Sequence, residues 1–251
     1  MIKNNKEIKK SKVGVKLLLA LGCIVVACVV ALFVYSGDYY KSEISVEEYM
    51  ATSSVRIEEF SDGLFVDGGE TDHAVIFYPG GKVEYTAYLP LCTKLAEQGV
   101  DCFLVEMPFH LAVFGSNKAD GIMAKYSYEN WYLAGHSLGG AMAANYVAEN
   151  VDKVDGLIML AAYPSKALVS EDLKVLSVYG NKDEVINREK LKAGTEFVPE
   201  HYTEIGLGGA NHAGFGNYGP QEGDGEASME REKQQEMTVS YILKMINTTY
   251  E

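Results

Sequence analysis

Three residues of the kinds that cooperate in nucleophilic catalysis stand far apart in this chain: Ser137, Asp183 and His212. Ser137 is the centre of Gly135-His136-Ser137-Leu138-Gly139, with an apolar run before it (residues 131–134) and a helix-forming run after it (residues 141–148). That order describes a sharp strand-to-helix turn which leaves the hydroxyl exposed at the helix start, where free N–H groups and the helix dipole favour negative charge. The plainer alternative is a tight turn with a serine at the helix N-cap. A hydroxyl becomes a useful nucleophile only when a base removes its proton, and the base needs a carboxylate to orient it.

Asp183 follows the apolar run 174–179, in Gly180-Asn181-Lys182-Asp183-Glu184, and His212 follows the run 201–205, in Gly208-Gly209-Ala210-Asn211-His212. Each therefore sits where a strand gives way to a loop. Glu184 is the neighbouring rival for the acid, while Asp172 precedes its strand. Among the other histidines, His73 and His201 also come before their strands, His136 lies inside the turn, and His110 precedes the serine. Acyl transfer develops an oxyanion that needs preorganised N–H donors. Leu138 supplies one from the helix start, and Pro79-Gly80-Gly81-Lys82 offers the other, Gly81 first and Lys82 second. Phe109, His110 and Phe114 after one strand, and Phe215 and Tyr218 after His212, are candidates, with Lys82, for a substrate pocket. Residues 217–225 are glycine-rich, and Glu222 and Asp224 lack the spacing of an EF-hand, so they read as a pocket rim.

These residues need strands and helices to carry them. Residues 55–59 and 63–67 alternate in polarity around Ser61-Asp62 and predict a hairpin of edge strands. The fully apolar run 74–78 and the largely apolar runs 101–106, 156–161 and 174–179 predict strands; helices are expected near 84–98, 120–125, 188–192 and 228–246. Strands alternating with helices give a mainly parallel sheet covered on both faces, with ligands beyond the strands' carboxyl ends.

The formal net charge is −13, yet residues 1–16 hold six lysines against Glu7, a local +5, which leaves −18 on the remainder. Such an acidic body argues against nucleic acid as a partner, since it would repel the phosphates. Residues 17–35 are nineteen in a row without a charge, long enough to cross a bilayer as a helix. With the lysines on the amino side, the expectation is a cytoplasmic tail (1–16), a signal-anchor (17–35), a polar spacer (36–52) and an extracellular domain (53–251). A cleaved signal or a lipid anchor near Cys28 are the alternatives. Cys92 and Cys102 read as mid-helix and strand start, hence as two buried free thiols, and no metal-ligand spacing exists among the cysteines.

The quoted stretches Tyr78-Pro79-Gly80-Gly81, Gly135–Gly140, Gly180–Asp183 and Gly209–Ala213 resemble those of α/β-hydrolases, and in particular the small lidless branch of dienelactone-hydrolase-like (carboxymethylenebutenolidase-like) proteins. The resemblance covers residues 53–251. It implies an α/β-hydrolase fold, Ser137 as nucleophile, Asp183 as acid, His212 as base, and no cofactor. The chain departs from it in having Pro79 where many esterases have histidine, and serine where dienelactone hydrolases proper have cysteine. Only residues 162–172 lie between two of the strands, which leaves no room for a cap domain. The reading is a membrane-anchored serine hydrolase acting on a small-molecule ester or thioester. The alternatives are an acyltransferase with the same residues and a non-catalytic binding module on a hydrolase scaffold.

Overall fold

In a computed structural model, which describes residues 2–170 and 172–248, the apolar runs pair into one eight-stranded sheet. The strands are β1 (Ile57–Phe60), β2 (Gly63–Val66), β3 (His73–Tyr78), β4 (Asp101–Val105), β5 (Asn130–His136), β6 (Gly156–Leu160), β7 (Lys174–Gly180) and β8 (Tyr202–Leu207). The helices are α1 (Ile2–Gly37), α2 (Val46–Thr52), α3 (Leu89–Ala96), α4 (Lys118–Met123), α5 (Leu138–Glu149), α6 (Arg188–Gly194) and α7 (Arg231–Ile246). Strand order is β1-β2-β4-β3-β5-β6-β7-β8; β1 and β2 are antiparallel, as the predicted hairpin requires, and β3 to β8 are parallel.

Side chains alternate across a strand, so a sheet covered on both faces must be apolar at every position. Strand β3 shows this. Val75 and Phe77 pack with Leu91 and Leu95 of α3 and Ile242 of α7. Ala74, Ile76 and Tyr78 pack on the other side with Ile122 of α4 and Ala143 and Val147 of α5. From β3 the chain moves one way to β4 and then crosses to the other side for β5. That reversal opens a crevice beyond the carboxyl ends of β3 and β5, the place where open parallel sheets take their ligands. No large cap is inserted between β6 and β7.

Three expectations shift. The helix expected over 84–98 starts as a 3-10 turn at Tyr85–Tyr88 and becomes α3 only at Leu89, because Pro90 has no N–H and fits only a helix's first turn. Strand β8 runs on to Leu207, whose partner is Gly180, so the loop bearing His212 starts two residues later than the polarity suggested. The third is the spacer. The chain forms two compact units, residues 1–38 and 39–251, so residues 39–52 belong to the domain. Tyr40 N–H donates to Lys82 O at 2.8 Å, Glu84 N–H donates to Tyr40 O at 2.9 Å, and Ser45 caps α2 by accepting from Glu48 N–H. Val46, Tyr49 and Met50 of α2 lie against the core. Their i, i+3, i+4 spacing is a helical face that the acidic composition around it hid.

The other unit, taken by itself, is α1, whose stretch Val15–Gly37 has the length and composition of a membrane span. Cys92 and Cys102 are free and fully buried with their thiols in contact, and burial pushes the Cys102 thiol up.

Because α2 and Tyr40 complete the core, a domain cut to residues 53–251 should be less stable than one cut to 39–251 by about 2–4 kcal/mol in urea unfolding. Equal midpoints for the two would return residues 39–52 to the role of a spacer.

Candidate active site

The turn between β5 and α5 consists of Ser137 alone, at φ 50° and ψ −119°. A left-handed φ on a residue with a Cβ costs about 1–2 kcal/mol, so the surroundings must hold it. Ser137 N–H donates to Leu160 O at 2.8 Å, and Ser137 O accepts from Ala141 N–H at 3.0 Å. Gly139 lets α5 pass close to the end of β3: a Cβ there would lie 2.3 Å from both Tyr78 O and Pro79 O. The other non-glycine residues with positive φ are Lys82, Phe109, His110 and Ala161. They follow β3, β4 and β6, so the backbone strain gathers at the carboxyl ends around Ser137.

Asp183 follows β7 and is 3% exposed, and His212 follows β8 and is 1% exposed. Asp183 Oδ2 and His212 Nδ1 are 2.8 Å apart, while Asp183 Oδ1 accepts from Val185 N–H (2.9 Å) and Ile186 N–H (2.8 Å). A carboxylate can only accept, so the imidazole donates from Nδ1, and its Nε2 is left with the lone pair a base requires. Nε2 is buried without a hydrogen-bond partner, and His212 and Ser137 line one cavity of about 300 Å3. Glu184, the rival acid, is exposed, and the pair with His212 is made by Asp183. Burial pushes the His136 imidazole well below its usual range, and the neighbouring His212 ring adds to that.

The two expected oxyanion donors, Leu138 and Gly81, are neighbours in the structure. Leu138 is the first residue of α5, where N–H groups have no helical acceptor. Gly81 touches it, since a Cβ on Gly81 would be 2.8 Å from Leu138 Cδ2. Lys82 is removed as a second candidate donor because its N–H goes to His110 O at 2.8 Å.

The expected pocket residues lie elsewhere. Phe215 is fully buried beside His136, with ring centroids 5.5 Å apart, and Tyr218 is buried against Tyr40 and Tyr88. His110 stacks on Tyr39 at 3.9 Å, and Phe109 and Phe114 meet edge to face at 5.6 Å, outside the cavity wall. The wall is built instead from Ala141, Ala162, Tyr163, Val185 and Ile186. The only sequence signal for these is that each follows the turn, β6 or the acid. A wider groove of about 910 Å3 runs along the amino ends of β7 and β8, past Val169 and Pro199, and shares no residue with this cavity. Among the described residues no group of three His, Cys, Asp or Glu side chains is placed to hold a metal ion.

Asp224, read as pocket rim, turns inward. Its Oδ1 accepts from His212 N–H (3.2 Å), Gly225 N–H (2.9 Å) and Glu184 N–H (3.4 Å), and its Oδ2 from Ala213 N–H (2.9 Å). One carboxylate thus ties the loop bearing Asp183 to the loop bearing His212. The arrangement as a whole sets a buried carboxylate–imidazole pair, a serine at positive φ and the helix start at Leu138 around a small, mainly apolar cavity. Such groups can move a proton off a hydroxyl and hold a developing oxyanion.

Residues 74–236 match the model of the alpha/beta hydrolase family. No curated protein sequence matches the chain. Among solved structures the fold is similar to TT1662 from Thermus thermophilus, with a TM-score of 0.57 and 14% identity over 78% of this chain and 99% of that one. It is similar to Est1E from Butyrivibrio proteoclasticus with ferulic acid bound, at TM-score 0.57 and 16% identity, covering 77% of this chain and 97% of that one. A monoacylglycerol lipase from Paleococcus ferrophilus aligns at TM-score 0.56 and 16% identity, over 71% of this chain and 97% of that one.

Removing the Asp224 carboxylate leaves the N–H groups of His212 and Ala213 without acceptors. Asp224→Ala should therefore lower the unfolding free energy by about 2–3 kcal/mol and broaden the low-field Nδ1–H proton resonance of His212. A sharp, unshifted resonance in the variant would make Asp224 a rim residue after all.

Proposed function

This chain belongs to the alpha/beta hydrolase family, and on that premise we propose that it is a serine hydrolase of carboxylic esters or thioesters, held at a membrane by residues 17–35. The observation that carries the reading is the buried Asp183–His212 pair, bonded at 2.8 Å, sharing a cavity with a serine held at positive φ. Ser137 Oγ attacks the substrate carbonyl carbon as His212 Nε2 takes its proton. The carbonyl oxygen becomes an oxyanion bonded by the N–H groups of Gly81 and Leu138. The C–O or C–S bond to the leaving group then breaks, and His212 returns the proton to that group. A water molecule, deprotonated by the same Nε2, attacks the acyl-enzyme, and Ser137 is released with the proton restored. Asp183 holds the ring in the Nδ1–H tautomer and stabilises the imidazolium that forms twice in the cycle.

The apolar wall of alanines, Val185 and Ile186, and a volume of about 300 Å3, favour a small acyl or alcohol group in the cavity. The structural neighbours named for bound ferulic acid and for monoacylglycerol lipase activity support an ester substrate. The lysines preceding residue 17 support a cytoplasmic amino terminus and an extracellular domain.

A fluorophosphonate probe should add one label to the full-length protein, on Ser137, and none in His212→Ala. Ser137→Ala should reduce the turnover of a short-chain aryl ester by about 10,000-fold or more while its melting curve stays that of the parent. Retained turnover in that variant would refute the mechanism.

A further inference from the structure

Tyr88 is fully buried at the end of the 3-10 turn before α3, in ring contact with Phe77 at 5.1 Å and His136 at 5.6 Å. Its hydroxyl oxygen lies 3.1 Å from Gly80 N and 2.7 Å from His136 Nδ1. The hydroxyl has one proton. A main-chain N–H can only donate, so Gly80 uses a lone pair of the tyrosine oxygen, and with no other acceptor at hydrogen-bond distance among the described residues the tyrosine proton goes to Nδ1. His136 is then the Nε2–H tautomer, with Nε2 buried against the main chain of His212. Burial pushes the phenol up and the imidazole well below its usual range, so the neutral form of each is favoured.

The position of this bridge gives it consequence. Gly80 immediately precedes Gly81, and His136 immediately precedes Ser137 and Leu138. The parallel ladder between β3 and β5 ends at Tyr78 opposite Gly135, and Pro79 has no N–H with which to extend it. Past that point the turn after β3 and the turn after β5 are joined through the tyrosine hydroxyl. The fit is close, since a Cβ on Gly80 would lie 2.7 Å from that oxygen and 2.8 Å from His136 Nδ1. Van der Waals contact between Gly81 and Leu138 closes the other side.

We propose that Tyr88 is a positioning residue: its hydroxyl, bonded to Gly80 N–H and His136 Nδ1, sets the separation of the Gly81 and Leu138 N–H groups that hold the oxyanion. The proposal rests on the serine hydrolase reading of the same site. Tyr88 does not touch the substrate. Its effect is on the transition state, in which oxyanion bonds shorten, and much less on substrate binding.

Tyr88→Phe in the full-length protein keeps the ring and removes the bridge. The expected result with a short-chain aryl ester is a kcat 10- to 100-fold lower with KM within about twofold of the parent, and affinity for a trifluoromethyl ketone reduced by the same factor as kcat. His136→Leu should give a similar loss, and the double variant should lose no more than either single one, because all three break one bridge. An unchanged kcat in Tyr88→Phe, or additive losses in the double variant, would overturn the proposal. Should Tyr88→Phe fail to fold, His136→Leu decides: a kcat 10- to 100-fold lower with KM within about twofold of the parent is expected, and an unchanged kcat overturns the proposal. Failure of the hydrolase reading is recognised separately, by a parent protein that neither turns over ester nor labels at Ser137, and that result would overturn this proposal too.

Discussion

The positive φ of Ser137 is the constraint around which the rest of this domain is arranged. Held at 50°, it ends β5 and begins α5 in a single residue. Such a turn leaves no space beside it for side chains, so α5 can lie against β3 only because Gly139 meets the carbonyls of Tyr78 and Pro79 without a Cβ. The strain of about 1–2 kcal/mol is borne by the Leu160 carbonyl and by a core that fills both faces of the sheet. Four further strained residues ring the same crevice. The stiffness of a packed parallel sheet is what allows its carboxyl edge to hold so many unfavourable conformations together.

A second constraint is the burial of charge-bearing groups. Asp183 is almost fully buried, yet both its oxygens are satisfied, one by His212 and the other by two main-chain N–H groups. A carboxylate treated this way stays put, and so does the imidazole bonded to it. Asp224 repeats the device one layer out, gripping the main chain of both loops. The loop after β8 is long and glycine-rich, and these carboxylates tie it to the shorter loop after β7. On the opposite side of the cavity the Tyr88 hydroxyl occupies the same structural place between the other two turns. The cavity itself is lined by the start of α5 and by residues that follow β6, β7 and β8.

The amino-terminal segment of the domain is the part whose composition misleads. It is acidic and polar on average, yet Tyr39 stacks on His110, Tyr40 pairs with the turn after β3, and α2 presents three apolar residues to the core. Average composition hides an amphipathic helix of seven residues, because burial depends on which face each residue occupies and not on how many are charged. The compact domain therefore takes in residues 39–52, which the composition assigns to a spacer.

Much of this was legible beforehand. Apolar runs of strand length between helical stretches imply a parallel sheet, and glycines around a serine imply a sharp turn, because period and backbone freedom are local properties of the chain. The placing of Asp183 and His212 after β7 and β8 followed from the same local punctuation. Other features belonged to the tertiary structure alone. Phe215 and Tyr218 went to the core, while Tyr163, Val185 and Ile186 went to the cavity. Asp224 turned under His212, and Tyr88 came to lie between Gly80 and His136. Each of these joins residues from separate loops, and their meeting is set by strand order and by the direction in which a loop leaves its strand. No periodicity within a segment encodes either, so local pattern determined the elements of this protein, and only their packing decided which side chains surround Ser137.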